Sequence, residues 1–177
     1  AIADMEPGLI TLVDGLLDQM GAQGGGDLID HFASAIPVEI IGNLLGVPHA
    51  ERSPLRDWSL AILGALEPVV TPAQQTLGDR SVTEMLDYLR GLVAQRRQRP
   101  GDPERDVLTR LIQGEVDGER LSETELLQNC IFLLNAGHET TTNLIGNGAH
   151  ALLTHRDQWQ RLLDQPALLP AAVEELL

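Results

Sequence analysis

Residues 122–154 read SETELLQNCIFLLNAGHETTTNLIGNGAHALLT, and the fold of the chain turns on this stretch. Ser122 followed three residues later by Glu125 is a capping box, in which each side chain accepts from a backbone N–H left free at a helix start. Behind it come Leu126, Leu127, Ile131, Phe132, Leu133, Leu134, Leu144 and Ile145. They are apolar on most sides, so the spacing predicts one long helix from Glu123 to about Thr154 in the middle of the fold. Its centre, Ala136-Gly137-His138-Glu139-Thr140-Thr141-Thr142, is poor helix sequence. A glycine and three β-branched threonines each cost from a few tenths to about 1 kcal/mol relative to alanine. That weakening predicts a kink or bulge facing a ligand.

Phe132, Asn135, Ala136, Glu139, Thr140 and Asn143 recur at helical spacing and share one face. An acid beside a hydroxyl on a cavity-facing side suits a proton relay: the hydroxyl holds a water or a bound oxygen and the carboxylate exchanges protons with solvent. The same residues also suit an ordinary threonine-rich helix with Glu139 in water. His138-Glu139 opens a zinc-protease motif that then fails, because Thr142 stands where the second histidine belongs.

Outward from this helix the apolar spacing stays helical. Upstream, Met5, Leu9, Leu12, Leu16 and Met20 form a stripe that the glycines of Gly21–Gly26 end. Asp27 caps a second helix running to Leu45 and Gly46, with a kink or restart at Pro37, and Val47-Pro48 closes it. Trp58, Leu60, Ile62, Leu63 and Leu66 suggest a short helix, followed by a mobile connection broken by Pro68 and Pro72. Ser81 to Arg97 reads as an amphipathic helix with Ser81 and Glu84 as capping box, ending in Arg96, Arg97 and Arg99, whose charge offsets the helix dipole. Asp106 to Gln113 is a short helix, 114–121 a turn or small hairpin, and 156–164 and 169–177 two more short helices. The fold class is therefore all-α, with little or no sheet.

The chain carries 12 Lys+Arg against 26 Asp+Glu over 177 residues, a net charge of −14, with 43% hydrophobic residues. That argues against binding a phosphate backbone or an anionic membrane, which need clustered positive charge. A single cysteine, Cys130, cannot make an internal disulfide, no Cys/His cluster has zinc spacing, and no apolar run approaches a membrane span. These features fit a soluble, cytoplasmic protein.

AGHETT, from Ala136 to Thr141, resembles the central-helix motif of the soluble bacterial cytochromes P-450, the haem-thiolate monooxygenases: a small residue, Gly, any residue, an acid, Thr, then Thr or Ser. A chance match in a chain this size is expected on the order of once in a thousand. Around it, DLIDHFASAIPVEIIGNLLGVP (27–48) looks like the segment before that family's lid helices, and RRQRPG (96–101) like the end of the second lid helix. LDQPALLPAAVEELL (163–177) looks like the approach to the helix bearing a Glu-x-x-Arg pair. The resemblance covers essentially the whole chain and implies the central portion of that fold. It implies a single incomplete domain over 1–177: first helices at 1–50, lid helices and loop at 51–100, a short helix and turn at 101–121, the long helix at 122–154, and two short helices at 155–177.

By this resemblance Glu139 feeds protons and Thr140 positions dioxygen. Ala136 and Gly137, with Thr140, lie against haem, and Phe132, Asn135 and Ala136 border the substrate. The lid, from about Ser53 to Thr76, varies with substrate in the family. Implied partners are a small apolar organic substrate, dioxygen and a ferredoxin-type electron donor. By the resemblance, the N-terminal segments that would precede Ala1 and the haem-ligating cysteine loop that would follow Leu177 lie outside these residues; Cys130 is read as an apolar filler instead, and no metal ligand is assigned. The chain alone is then expected to be inactive and to self-associate through exposed apolar surface. The alternative is a stand-alone all-helical protein that binds hydrophobic ligands or partners without catalysis.

Overall fold

The computed structural model describes residues 5–116 and 119–177. Eight α-helices follow one another among these residues: α1 (Glu6–Ala22), α2 (Ala35–Leu45), α3 (Ser53–Gly64), α4 (Pro72–Gln98), α5 (Val107–Gln113), α6 (Glu123–Thr154), α7 (Arg156–Asp164) and α8 (Leu169–Leu176). The only sheet among them is an antiparallel pair of two-residue strands, β1 (Glu115–Val116) and β2 (Glu119–Arg120), in which Glu115 faces Arg120. The all-α expectation holds. Of the hairpin expected at 114–121, residues 117 and 118 lie outside the described residues, as do residues 1–4 at the start of the first helix.

The core forms where α4 and α6 meet α2 and α3. Met85, Leu89, Leu92 and Val93 of α4 pack with Leu126, Leu127, Cys130 and Leu134 of α6, closed by Ile41, Leu45, Val47, Leu55, Ile62 and Leu108. Both stripes recur at three- and four-residue steps, which is why each helix buries one side. α3 lies close on α4. A Cβ on Gly78 would stand 2.4 Å from the Ala65 methyl, and Trp58 stacks obliquely on Tyr88 at 5.9 Å between ring centroids. By contrast α1, α7 and α8 contain no fully buried residue.

One expectation is corrected, and the restart expected near Pro37 takes a definite form. α4 starts at Pro72, nine residues before the expected Ser81 start, so much of the supposed mobile connection is helix. Pro72 sits in the first turn, where its missing N–H costs nothing, and Thr71 and Gln74 form a complete capping box. Ser81 is buried within the helix and starts nothing. The second helix is divided: a π turn at Ile29–Ala33 precedes α2. Pro37 has no N–H to give the carbonyl four residues back and its ring crowds that carbonyl, so the backbone widens there.

Two arginines fasten the ends of the α3–α4 pair. Arg52, 8% exposed, donates from Nε and Nη2 to Val47 O at 3.0 and 2.8 Å, from Nη2 to Asn43 at 2.8 Å, and to the Glu39 carboxylate. Arg96 donates to Gly46 O and pairs with Asp106, the cap of α5. Arg97 pairs with Glu123 at 3.1 Å. The arginine run therefore has specific partners beyond the helix dipole.

Candidate functional site

α6 is α-helix without a break over all 32 residues, so the bulge expected at Ala136–Thr142 does not form. The threonine hydroxyls bond back onto the helix without interrupting it. Thr140 Oγ1 donates to Ala136 O at 2.8 Å and Thr142 Oγ1 to His138 O at 2.9 Å. A carbonyl has two lone pairs, so it accepts the hydroxyl and the helical N–H together.

The motif residues divide between three sides of this helix. Phe132, 66% exposed, stands on an open face with Ala136, Thr140 and Asn143. Asn135 and Glu139 are half-buried at its flank, and Asn135 Oδ1 is buried without a hydrogen-bond partner. Gly137 turns toward α2: a Cβ there would stand 2.4 Å from Ile41 Cδ1, so the glycine permits the close approach of α6. The six residues expected on one face thus form an exposed strip and a half-buried border.

Ala136 and Gly137 line an open cleft of about 860 Å³ together with Leu133, Ile41, Leu44, Leu45 and Val107. Glu104, Arg105 and Arg110 supply its charged rim. Thr140, Glu139, Phe132 and Asn135 are not part of its lining. Small, apolar groups on α6 beside this cleft and the exposed Phe132 ring suit contact with a broad, flat apolar group. Cys130 does not serve it: the thiol is fully buried in the core, and burial pushes its pKa up to about 11, away from the thiolate form.

The far side of α6 was missed in the sequence. Leu127, Cys130, Leu134, His138 and Thr142 are all buried. They follow steps of three and four, so the apolar stripe continues through the motif into two polar residues. That periodicity was the available signal. His138 is 3% exposed, and neither ring nitrogen has a hydrogen-bond partner. Burial pushes its pKa below the ordinary histidine range, and the nearby Arg56 charge pushes the same way. Thr142 Oγ1 also reaches Ala33 O, at 3.5 Å, the carbonyl four residues before Pro37. Among the described residues no group of three or more His, Cys, Asp or Glu is placed to hold a metal ion. No helix among them is long and apolar enough to cross a membrane.

The sequence profile of the family described as Cytochrome P450 matches residues 59–164. Cytochrome P450 107B1 of Saccharopolyspora erythraea is 39% identical over 176 residues, covering 99% of this chain and 41% of that protein. The vitamin D(3) 25-hydroxylase of Pseudonocardia autotrophica is also 39% identical, over 98% of this chain and 41% of its own length. Among solved structures, ligand-free cytochrome P450 TbtJ1 matches with a TM-score of 0.87 at 41% identity, over 99% of this chain and 46% of that one. P450BioI, solved with an acyl carrier protein bearing hexadec-9Z-enoic acid, matches with a TM-score of 0.90 at 31% identity, over 99% and 44%. The chain spans about two fifths of the length of the curated relatives it matches.

Proposed function

The chain belongs to the cytochrome P450 family, and from that premise we propose that it is the central part of a haem-thiolate monooxygenase acting on a small apolar organic substrate. α6 carries dioxygen-handling groups at its middle. The observation that supports this best is the open strip of α6, where Ala136 and Thr140 stand exposed beside a cleft while the opposite side is packed into the core. Haem, when bound, supplies the activation of dioxygen, with electrons from a ferredoxin-type donor. Its thiolate ligand comes from outside these residues.

The roles of this chain's own residues follow from their chemistry. Ala136 and Gly137 leave room at the helix surface, so a flat group and a small molecule can approach the backbone. Thr140 Oγ1, now donating to Ala136 O, keeps its lone pairs free to accept from water; on turning outward its O–H donates to a group lying on the open strip. Glu139, half-buried at the edge of the strip, takes protons from solvent at its carboxylate and passes them inward through water to the Thr140 hydroxyl. Phe132 and Asn135, one to two turns earlier, border the substrate.

The test is electron accounting in the intact enzyme. Thr140→Ala removes the hydroxyl without touching the core, so electron use continues while product per electron falls about tenfold and peroxide appears in its place, one removed acid–base group costing at least that much. Thr140→Ser restores most of the coupling. Unchanged coupling in Thr140→Ala would overturn the role assigned to this hydroxyl.

A further inference from the structure

We propose that His138 is an acid-sensitive brace at the junction of three elements: its neutral ring keys α6 against the π turn Ile29–Ala33 and α3, and taking up a proton loosens that junction. Of the five histidines only this one is buried, and it lies on the side of α6 away from the strip where the chemistry is placed. The brace therefore stands whether or not Thr140 and Glu139 act on dioxygen.

The junction is tight. Cβ atoms on Gly137 and Gly146 would each stand 2.4 Å from an isoleucine Cδ1, that of Ile41 on α2 and of Ile29 in the π turn. Thr142 Oγ1 spans His138 O and Ala33 O, tying the same turn of α6 to the π turn. A ring with two unpaired nitrogens is a costly choice in such a place, where a leucine would pack at less cost. What the histidine adds is a site for a proton.

Of the charged groups on the elements packed against it, Arg56 disfavours that proton, Asp30 and Glu39 are already paired, and Asp57 is exposed. α3 presents Arg56, whose positive charge acts on the ring and whose Nε is itself buried without a partner. The π turn presents Asp30, held by Arg56 Nη2 at 2.6 Å, and His31, which is exposed. On α2, Glu39 is taken by Arg52 and His49. On α6 the neighbouring Glu139 lies about 100° round the helix. An imidazolium formed here is buried and faces a guanidinium, so it is accommodated by separating α6 from the π turn and α3.

The sign follows. The unfolded chain takes up this proton near pH 6.5, the ordinary value, while the folded site, with its lowered pKa, does not. Stability from this group is whole above that range and falls as pH drops toward the folded value. The limit is one proton, about tenfold in the unfolding constant per pH unit.

The experiment compares the intact chain with His138→Phe and with His138→Gln between about pH 8 and about pH 5, by urea unfolding and by amide hydrogen exchange. The native chain should lose stability relative to both variants as pH falls, with exchange speeding up first at 29–34 and 53–58 while α4 stays protected. Arg56→Gln should shrink the loss, because the folded site then takes up the proton closer to the ordinary value. If one variant fails to fold, the other gives the comparison. Native and variant profiles that run parallel, or acid-induced exchange that spares the junction, would overturn the proposal.

Discussion

Arg52 shows how much a single side chain organises here. Its guanidinium is almost fully buried and serves two helices and the turn between them, through Val47 O, Asn43 and Glu39. Even a methyl on Gly42 would run into it, at 2.5 Å from Nε. Replacing Arg52 by Met keeps the apolar stem but leaves the half-buried Glu39 carboxylate with only the exposed His49, and the Val47 carbonyl without its donor. The expected loss is about 3 kcal/mol, read as a lower urea midpoint at an unchanged slope, and Arg52→Lys should recover only part of it because the fork geometry is gone. None of this was visible in the sequence, since an arginine after a proline turn looks like any exposed cation until its neighbours are placed. The motif was visible, because Ala136, Gly137, Glu139 and Thr140 have spacing and chemistry of their own.

At the scale of elements, propensity and packing pull in different directions. The motif lowers the helical propensity of α6, yet the helix runs unbroken because it is embedded between α2, α3, α4 and the π turn. The irregularity appears at Ile29–Ala33 instead, where Pro37 imposes it. A proline that stops one helix starts another: Pro72 opens α4, and the capping partners Thr71 and Gln74 distinguish the two cases. The α3–α4 contact depends on Gly78, whose neighbours Ala65 Cβ at 2.4 Å and Ala61 O at 3.2 Å leave no room for a side chain. Gly78→Val should therefore cost about 1 to 3 kcal/mol, with hydrogen exchange rising in α3 more than in α6. Equal protection in both helices would contradict the contact.

For the molecule as a whole, the distribution of apolar surface matters most. α1, α7 and α8 bury no residue fully, and Phe132, Leu133, Leu163, Leu169 and Val173 are left open to solvent. Surface of that kind drives association, while a net charge of −14 opposes it. The 177-residue chain should bind an apolar dye and elute as larger species, and added salt should shift it further toward them by screening the repulsion. A strictly monomeric chain at low and high salt that leaves the dye dark would show that these faces are covered by some rearrangement.

The sequence by itself determined the helical class, the length of α6, the cap at Ser122 and the motif that leads to the family. These depend on periodicity and on partners within one or two turns along the chain. Only the tertiary structure decided that His138 and Thr142 are buried, that Gly137 serves α2 as well as the cleft, and that Arg52 and Arg96 fasten the α3–α4 pair. Those outcomes are set by groups far apart in the chain, such as Ala33 and Thr142 or Gly46 and Arg96, and local pattern carries no record of which distant backbone a side chain will meet.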